Sequence, residues 1–237
     1  MPQPKVFSLI DKAIHDYNML PDGARLLIGA SGGKDSTLLV EYFAARLRRF
    51  SSAAPFSVTP LYVQSDFAPP FNAELKTLFT AWGTPLEQIN VDVLARVKSG
   101  KKMNCWWCST QRRGALLNYA LEHGYTHLVL GHHLDDILET LLMNMLEKAT
   151  LSTMPPVLQY DNYPLKVIRP LCYLPVSAIQ AYAEEQGWQR VVCTCSYQDN
   201  SGRKAARRRL SLLTGDDDAV KMRLFRSLQH VQSQYLP

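Results

Sequence analysis

The sequence contains no uninterrupted stretch of about 20 apolar residues, the length that a membrane-spanning helix needs. Its first residues also lack the basic segment, the apolar segment and the small-residue cleavage site of a secretory signal. We therefore expect a cytoplasmic protein that has no membrane partner.

A disulfide framework is not expected either, because the chain has five cysteines, an odd number, and shows no export signal. Metal binding or redox chemistry explains these thiols better. They are Cys105, Cys108, Cys172, Cys193 and Cys195.

Two common nucleotide-binding loops are also absent. A Walker loop has four residues between its glycine and a Gly-Lys pair, but here three residues separate Gly29 from Gly33, and Asp35 follows Lys34. The dinucleotide pattern G-x-G-x-x-G does not occur. The segment between an apolar run and a helical pattern reads Ser31-Gly32-Gly33-Lys34-Asp35-Ser36.

This segment is identified as the pyrophosphate loop of ATP pyrophosphatases that activate a substrate as its adenylate. Glycines without Cβ atoms let backbone N–H groups approach a phosphate, and the N-terminus of the following helix favours an anion. Ser31, Lys34 and Ser36 add donors around the same anion. We therefore predict a nucleotide site here.

Hydrophobic periodicity predicts alternating strands and helices over most of the chain. Helices are expected at about 5–19, 35–49, 70–82, 109–123, 134–147 and 176–186, with basic helices beyond residue 200. Strands are expected at about 25–30, 56–63, 86–93, 126–131 and 167–168, and Pro60 indicates an edge or a bulge. Residues 154–164 are expected to form a loop-rich bridge. This order predicts an α/β fold with a doubly wound, mostly parallel sheet and a small helical C-terminal appendage.

We expect three segments along the chain. Residues 1–24 form an N-terminal helix, 25–190 form the nucleotide-binding domain with the first cysteine pair, and 191–237 form a basic helical segment with the later cysteines.

A second polar cluster, Gly131-His132-His133-Leu134-Asp135-Asp136, is expected where a strand ends and a helix begins. An aspartate there is often a helix cap. Beside a triphosphate, carboxylates can instead hold Mg²⁺, which takes one or two of them together with phosphate oxygens. Asp35 and Asp136 are our magnesium candidates.

The cysteines allow several kinds of site. Cys105 and Cys108 have the spacing of a metal-binding or redox pair, and Cys193 and Cys195 supply further thiols. A structural zinc site with all four and an iron–sulfur cluster with three thiolates are both open. Cys172 is expected to be a small buried residue.

The formal net charge of +5 is modest, but basic residues are concentrated in two places. Arg112 and Arg113 either neutralise phosphate charge or position nucleic acid, or they are solvated arginines on a helix surface. The other group either binds a polyanion or is a solvated helix face. Its members are Arg203, Lys204, Arg207, Arg208 and Arg209.

Taken together, the motifs resemble the tRNA 2-thiocytidine synthetase family of sulfurtransferases. The motifs that carry the resemblance cover roughly residues 10–200. They are Ile14-His-Asp-Tyr-Asn-Met-Leu20, the loop at 31–36, Cys105-x-x-Cys108-Ser-x-x-Arg-Arg-Gly114, Gly131-His-His-x-Asp-Asp-Ile-Leu-Glu-Thr140, Met154-Pro-Pro156 and Ile168-Arg-Pro-Leu171.

The resemblance implies a Rossmann-like adenine nucleotide α-hydrolase (PP-loop ATPase) domain that binds ATP and Mg²⁺. It implies that the enzyme adenylates the C2 oxygen of a cytidine in tRNA. Sulfur held on a [4Fe-4S] cluster then replaces that oxygen. The implied cluster ligands are Cys105, Cys108 and Cys195, and the implied catalytic residues are Asp35, Arg112, Arg113 and Asp136. The implied ATP-contacting residues are Ala30, Ser31, Gly32, Gly33, Lys34, Asp35, Ser36, Val63, Gly131 and His132.

The implied partners are tRNA and a sulfur donor such as a cysteine desulfurase system, with a second copy of the chain as a further candidate. The sequence departs from the family pattern at Cys193-Thr-Cys195, which is one residue shorter than the usual pair, and at Ser196, which replaces a glycine. Two alternatives stay open. One is the same chemistry, or the reverse desulfuration, on another nucleobase or a small thiolated metabolite. The other is a non-enzymatic, zinc-stapled nucleotide- or RNA-binding protein.

Overall fold

The computed structural model describes residues 3–50, 55–97, 103–160, 164–188 and 201–235. Within these ranges, six strands form one sheet, with helices on both faces. The strands are β1 Ala24–Gly29, β2 Phe56–Ser65, β3 Glu87–Val91, β4 His127–Val129, β5 Val157–Gln159 and β6 Lys166–Ile168. The helices are α1 Lys5–Asp16, α2 Lys34–Leu47, α3 Ala73–Ala81, α4 Cys105–Glu122, α5 Leu134–Lys148, α6 Val176–Glu185, α7 Ser201–Thr214 and α8 Asp218–Ser227, and a 3₁₀ turn covers Ser233–Tyr235.

The strand order is β3-β2-β1-β4-β6-β5, and every neighbouring pair is parallel except β5 with β6. The chain runs outward from β1 through β2 to β3, and then returns to β4 on the other side of β1. In sheets of this kind, ligands bind beyond the carboxyl ends of the strands where the order reverses. The predicted doubly wound α/β fold is therefore confirmed, and its switch point lies between β1 and β4.

The sheet separates two hydrophobic clusters, because successive strand side chains point to opposite faces. Leu26 and Ile28 of β1 belong to a cluster with α1, α2, α5 and α6, which also includes Leu210 of α7 and Phe225 of α8. Leu27 belongs to a second cluster, with α4 residues. The first and last helices thus share a core with the sheet, and the division at residues 24 and 190 stays a prediction.

Three local features differ from the sequence expectation or refine it. The helix expected from Ser109 begins four residues earlier, at Cys105, because the Asn104 side chain accepts a hydrogen bond from the Trp107 N–H at 2.8 Å and caps it. The bridge expected at 154–164 contains the short strand β5. Pro60 lies in β2 just before pairing with β3 begins at Leu61. Residues 56–60 of β2 therefore pair with β1 only and form a local edge of the sheet, where a proline is tolerated.

No helix in the described ranges combines the length and apolarity needed to cross a membrane.

Candidate active site

The phosphate loop, residues 31–36, connects β1 to α2. Gly32 has φ +80°, which favours glycine, and a Cβ there would lie 3.3 Å from the Phe71 ring. Gly33 is the N-cap residue of α2 and provides no side chain to cap the helix. The first N–H groups of a helix have no partner within it, so they can receive an anion.

Hydrogen bonds inside the loop hold its shape. The Ser36 hydroxyl accepts from the Ser31 N–H at 3.1 Å and donates to the Gly33 carbonyl at 3.0 Å. Thr37 donates to the same carbonyl at 3.0 Å. Ser36, predicted as an anion donor, is thus engaged within the loop. The Lys34 ammonium lies 2.8 Å from an Asp35 carboxylate oxygen.

The connection between β4 and α5, residues 130–133, lies directly beside this loop. A Cβ on Gly131 would lie 3.3 Å from the backbone of both Asp35 and Ser36, so a side chain there would push the start of α2 away by a few tenths of an ångström. His132 is half-buried, and its Nδ1 is buried without a hydrogen-bond partner among the described residues. Burial lowers the pKa of His132 to about 4, so its imidazole is neutral at physiological pH.

The two aspartates at the start of α5 have different surroundings. Asp135 accepts hydrogen bonds from the Val176 N–H at 2.7 Å and from the buried Lys221 ammonium at 2.9 Å, which ties α5 to α6 and α8. Asp136 forms a reciprocal capping box with His133. Burial alone would raise the pKa of Asp136, but the neighbouring His133, the hydrogen bond from the His133 N–H and the Arg203 guanidinium hold it below its ordinary value. Asp136 is therefore an ionised carboxylate beside the phosphate loop.

A central cavity of about 220 Å³ lies between the phosphate loop and α4. Its lining includes Ala30, Ser31, Val63, Arg113 and His132. Arg112 also lines it, and the Arg112 Nε is buried without a hydrogen-bond partner in the described part of the chain. The central cavity brings together predicted residues from β2, from α4 and from the segments that follow β1 and β4.

The two described cysteines of the predicted metal set line a neighbouring cysteine cavity of about 180 Å³. Cys105 and Cys108 lie on the first turn of α4, so both thiols reach this cavity. Ser109 and Arg112 line both the cysteine cavity and the central cavity. The cysteine pair and the phosphate loop therefore lie at the same edge of the sheet.

The predicted third ligand, Cys195, lies outside the described residues, as does Cys193. Over the described ranges, no three His, Cys, Asp or Glu side chains are grouped closely enough to hold a metal ion. The predicted magnesium candidates, Asp35 and Asp136, instead line a larger phosphate cavity of about 680 Å³.

Residues that the sequence analysis did not assign also line the phosphate cavity. Glu139 of α5 is buried and pairs with Arg207 of α7, with 2.7 Å between Oε1 and Nε. Glu139 follows Asp136 by three residues, so both lie on one face of α5. That spacing was a usable signal, but the pairing with Arg207 depends on how α7 packs.

The close approach at Gly131 gives a testable expectation. Gly131→Ala forces a Cβ against the start of α2, and such overpacking costs about 1–3 kcal/mol. We expect the Kd for ATP to rise by roughly tenfold in calorimetry. The control is Gly114→Ala on α4, where a Cβ meets nothing within 4 Å. We expect this variant to be about 0.5–1 kcal/mol more stable and to bind ATP as the wild type does. Equal ATP affinity in the two variants would contradict the account.

The chain is similar to known proteins over most of its length. A PP-loop domain model matches residues 3–212. A tRNA-cytidine(32) 2-sulfurtransferase from Anaeromyxobacter sp. (strain Fw109-5) is 36% identical over 230 residues, which are 94% of this chain and 75% of the relative. The chain belongs to the tRNA-cytidine(32) 2-sulfurtransferase family. The family resemblance predicted from the sequence motifs is confirmed.

Another member of the tRNA-cytidine(32) 2-sulfurtransferase family, from Acaryochloris marina, is 35% identical over 99% of this chain and 83% of the relative. Among solved structures, the U34-tRNA thiolase NcsA from Methanococcus maripaludis, with its [4Fe-4S] cluster, has a TM-score of 0.78. It is 20% identical and matches 98% of this chain and 79% of that one. The NH3-dependent NAD synthetase from Campylobacter jejuni has a TM-score of 0.53 at 15% identity, over 97% and 95% of the two chains. These two structures support the fold assignment.

Proposed function

We propose that this protein is an ATP-dependent sulfurtransferase that adenylates the C2 oxygen of a cytidine in tRNA and replaces it with sulfur, releasing AMP and pyrophosphate. One observation carries the proposal beyond family membership. The cavity beside the phosphate loop and the cavity beside the cysteine pair share Ser109 and Arg112 in their walls. A base held beside this shared wall would thus lie between the nucleotide and the sulfur.

The residues at the switch point fit ATP. The N–H groups at the start of α2 would hold its phosphates, with Lys34 beside them, and Val63 and Ala30 would line the space for the rest of the nucleotide. Bound ATP supplies the AMP group that turns the C2 oxygen into a good leaving group. Arg112 and Arg113 neutralise negative charge next to that oxygen. The neutral His132 lines the same space, and its buried, unpaired Nδ1 is available to bind a polar group of the substrate.

Asp35 and Asp136 fit a magnesium ion that is held together with the phosphates. Mg²⁺ takes one or two protein carboxylates and completes its shell with phosphate oxygens and water. It would supply positive charge at the phosphates. Asp136 stays ionised for this role, because His133, its backbone N–H and Arg203 lower the pKa of Asp136 despite burial.

Cys105, Cys108 and Cys195 are the proposed ligands of a [4Fe-4S] cluster. Soft thiolates are the ligands such clusters use, and the two described cysteines reach one cavity from a single helical turn. The cluster would supply an iron that holds sulfide. We include in the proposal a cytoplasmic location and a sulfur donor such as a cysteine desulfurase system. A homodimer stays a prediction.

Mass spectrometry of tRNA nucleosides from cells lacking this gene tests the proposal. We expect 2-thiocytidine to disappear and to return with the wild-type gene. Lys34→Ala should leave below about 1% of it, because Lys34 stands at the phosphate site. Lys148→Ala, at the far end of α5, should restore it fully. Normal 2-thiocytidine in the deletion strain would contradict the proposal. Loss of a different thiolated nucleoside would contradict the substrate but not the chemistry.

A further inference from the structure

We propose that Arg203 and Arg207 of α7 bind the pyrophosphate end of ATP across the phosphate cavity from the phosphate loop, and that Glu139 is the positioning residue for Arg207. This inference rests on the proposed ATP binding and assigns a second wall to that site. The same arginines were expected from the sequence only to bind a polyanion or to be solvated.

The phosphate cavity has two walls from distant parts of the chain. Gly33, Lys34 and Asp35 of the phosphate loop lie on one side, and Arg203 and Arg207 also line the space. A volume of about 680 Å³ is large enough for a nucleotide-sized ligand. A phosphate group held at the start of α2 thus has α7 arginines as neighbours in the same cavity.

The packing of α7 selects these two arginines from its basic run. Ala206 and Leu210 are fully or almost fully buried, so their face of α7 is turned towards the protein. Arg203 and Arg207 are four residues apart and flank this buried face, so they lie one turn above each other. Arg208 is exposed and does not line the cavity.

Glu139 fixes one end of the Arg207 guanidinium. The Glu139 side chain is 2% exposed, and its Oε1 accepts from the Arg207 Nε at 2.7 Å. Its Oε2 is buried and has no partner among the described residues. A buried carboxylate needs a partner of opposite charge, so Arg207 is held at this place. The bond to Glu139 uses only the Nε–H, which leaves the other four guanidinium N–H groups outside it, and the Arg207 side chain as a whole is 68% exposed.

Four of the carboxylates that line the cavity each have a cation within 4 Å, which reduces their repulsion of an anion. Lys34 pairs with Asp35, Lys221 pairs with Asp135, and Arg207 pairs with Glu139. Arg203 lies 3.7 Å from Asp136. The remaining Glu184 and Asp216 are exposed to solvent. A magnesium ion that arrives with the nucleotide would replace Arg203 as the partner of Asp136. The Arg203 guanidinium would then be available to contact the phosphates.

The arginines would act on the step that releases pyrophosphate. As the bond between the C2 oxygen and the α-phosphorus forms, the bond from that phosphorus to the bridging oxygen breaks, and pyrophosphate takes its electron pair. Arginine forks bind phosphate oxygens in pairs and stabilise the charge that develops there. The expected effect is on the affinity for pyrophosphate and on kcat of adenylation.

The test compares three variants that each remove one positive charge from the same helix. Calorimetry with magnesium pyrophosphate and with ATP should show that Arg203→Gln and Arg207→Gln raise both Kd values by about tenfold or more. Arg208→Gln should stay within about twofold of the wild type, because its side chain does not line the cavity. Filter binding of tRNA under the same conditions provides the second readout.

A double-mutant cycle tests the role of Glu139 without relying on its effect on folding. Glu139→Gln should weaken pyrophosphate binding in the wild-type background and should add nothing in the Arg207→Gln background. Additive losses would overturn the positioning role.

Two results would overturn the proposal for the arginines. The first is pyrophosphate affinity in Arg203→Gln and Arg207→Gln equal to that of Arg208→Gln. The second is an equal loss of tRNA affinity in all three with pyrophosphate affinity intact, which would make α7 a polynucleotide surface. A wild-type protein that binds neither ATP nor pyrophosphate would instead overturn the proposed function as well.

Discussion

Cys105→Ala and Cys108→Ala are each expected to reduce tRNA thiolation to below about one hundredth of the wild-type rate while the Kd for ATP stays within about twofold. The two thiols line the cysteine cavity rather than the phosphate cavity, so their removal abolishes sulfur delivery and leaves the nucleotide site intact. Anaerobically purified wild-type protein should be brown and contain iron and sulfide. Both variants should lose the visible absorbance that makes the wild-type protein brown.

Cys172→Ala is the matched control for these variants. Cys172 is fully buried in the cluster on the other face of the sheet from α4, so its loss creates only a small cavity. We expect a cost of about 1 kcal/mol in stability with unchanged iron content and activity. A colourless, zinc-containing wild-type protein that thiolates tRNA at full rate would contradict the cluster and favour the zinc alternative.

Asp136→Asn is expected to lower kcat by roughly 100-fold with little change in stability. Asparagine keeps an oxygen that can accept from the backbone, so the cap of α5 survives, but the negative charge needed by a magnesium ion is lost. Steady-state kinetics over a range of magnesium concentrations measures the effect, and thermal unfolding measures the stability.

The neighbouring Asp135→Asn should behave in the opposite way. It leaves the buried Lys221 without its closest carboxylate and is expected to cost on the order of 3 kcal/mol in unfolding free energy. Its activity per folded molecule should stay close to that of the wild type. If Asp135→Asn loses catalysis and Asp136→Asn keeps it, the assignment of the metal ligand is wrong.

Short-range patterns predicted the fold and the framework of the site because the relevant physics is local. The apolar strand before Gly32 and the periodic helix after Lys34 follow from sequence alone, and so does the strand end at Gly131. Because β1 and β4 are parallel neighbours in the sheet, their carboxyl ends lie side by side. The contact between Gly131 and the backbone of Asp35 is a direct consequence of this arrangement.

Long-range pairings were not predictable in the same way. Glu139 and Arg207 are 68 residues apart, and they meet only because α7 packs on α5. The hydrophobic periodicity of α5 and of α7 does not indicate that contact. The same limit applies to β5, which is three residues long and becomes a strand by pairing with β6. At the start of α4, a single side-chain cap from Asn104 moved the helix boundary to include Cys105.

The most direct test of the account is the ratio of products in one anaerobic reaction. Wild-type protein with its cluster is supplied with ATP, magnesium, sulfide and unmodified tRNA, and AMP and 2-thiocytidine are both quantified by mass spectrometry. We predict one AMP for each 2-thiocytidine, and neither product when tRNA is omitted. Steady formation of AMP without any thiolated cytidine would contradict a site in which ATP and sulfur act on the same base.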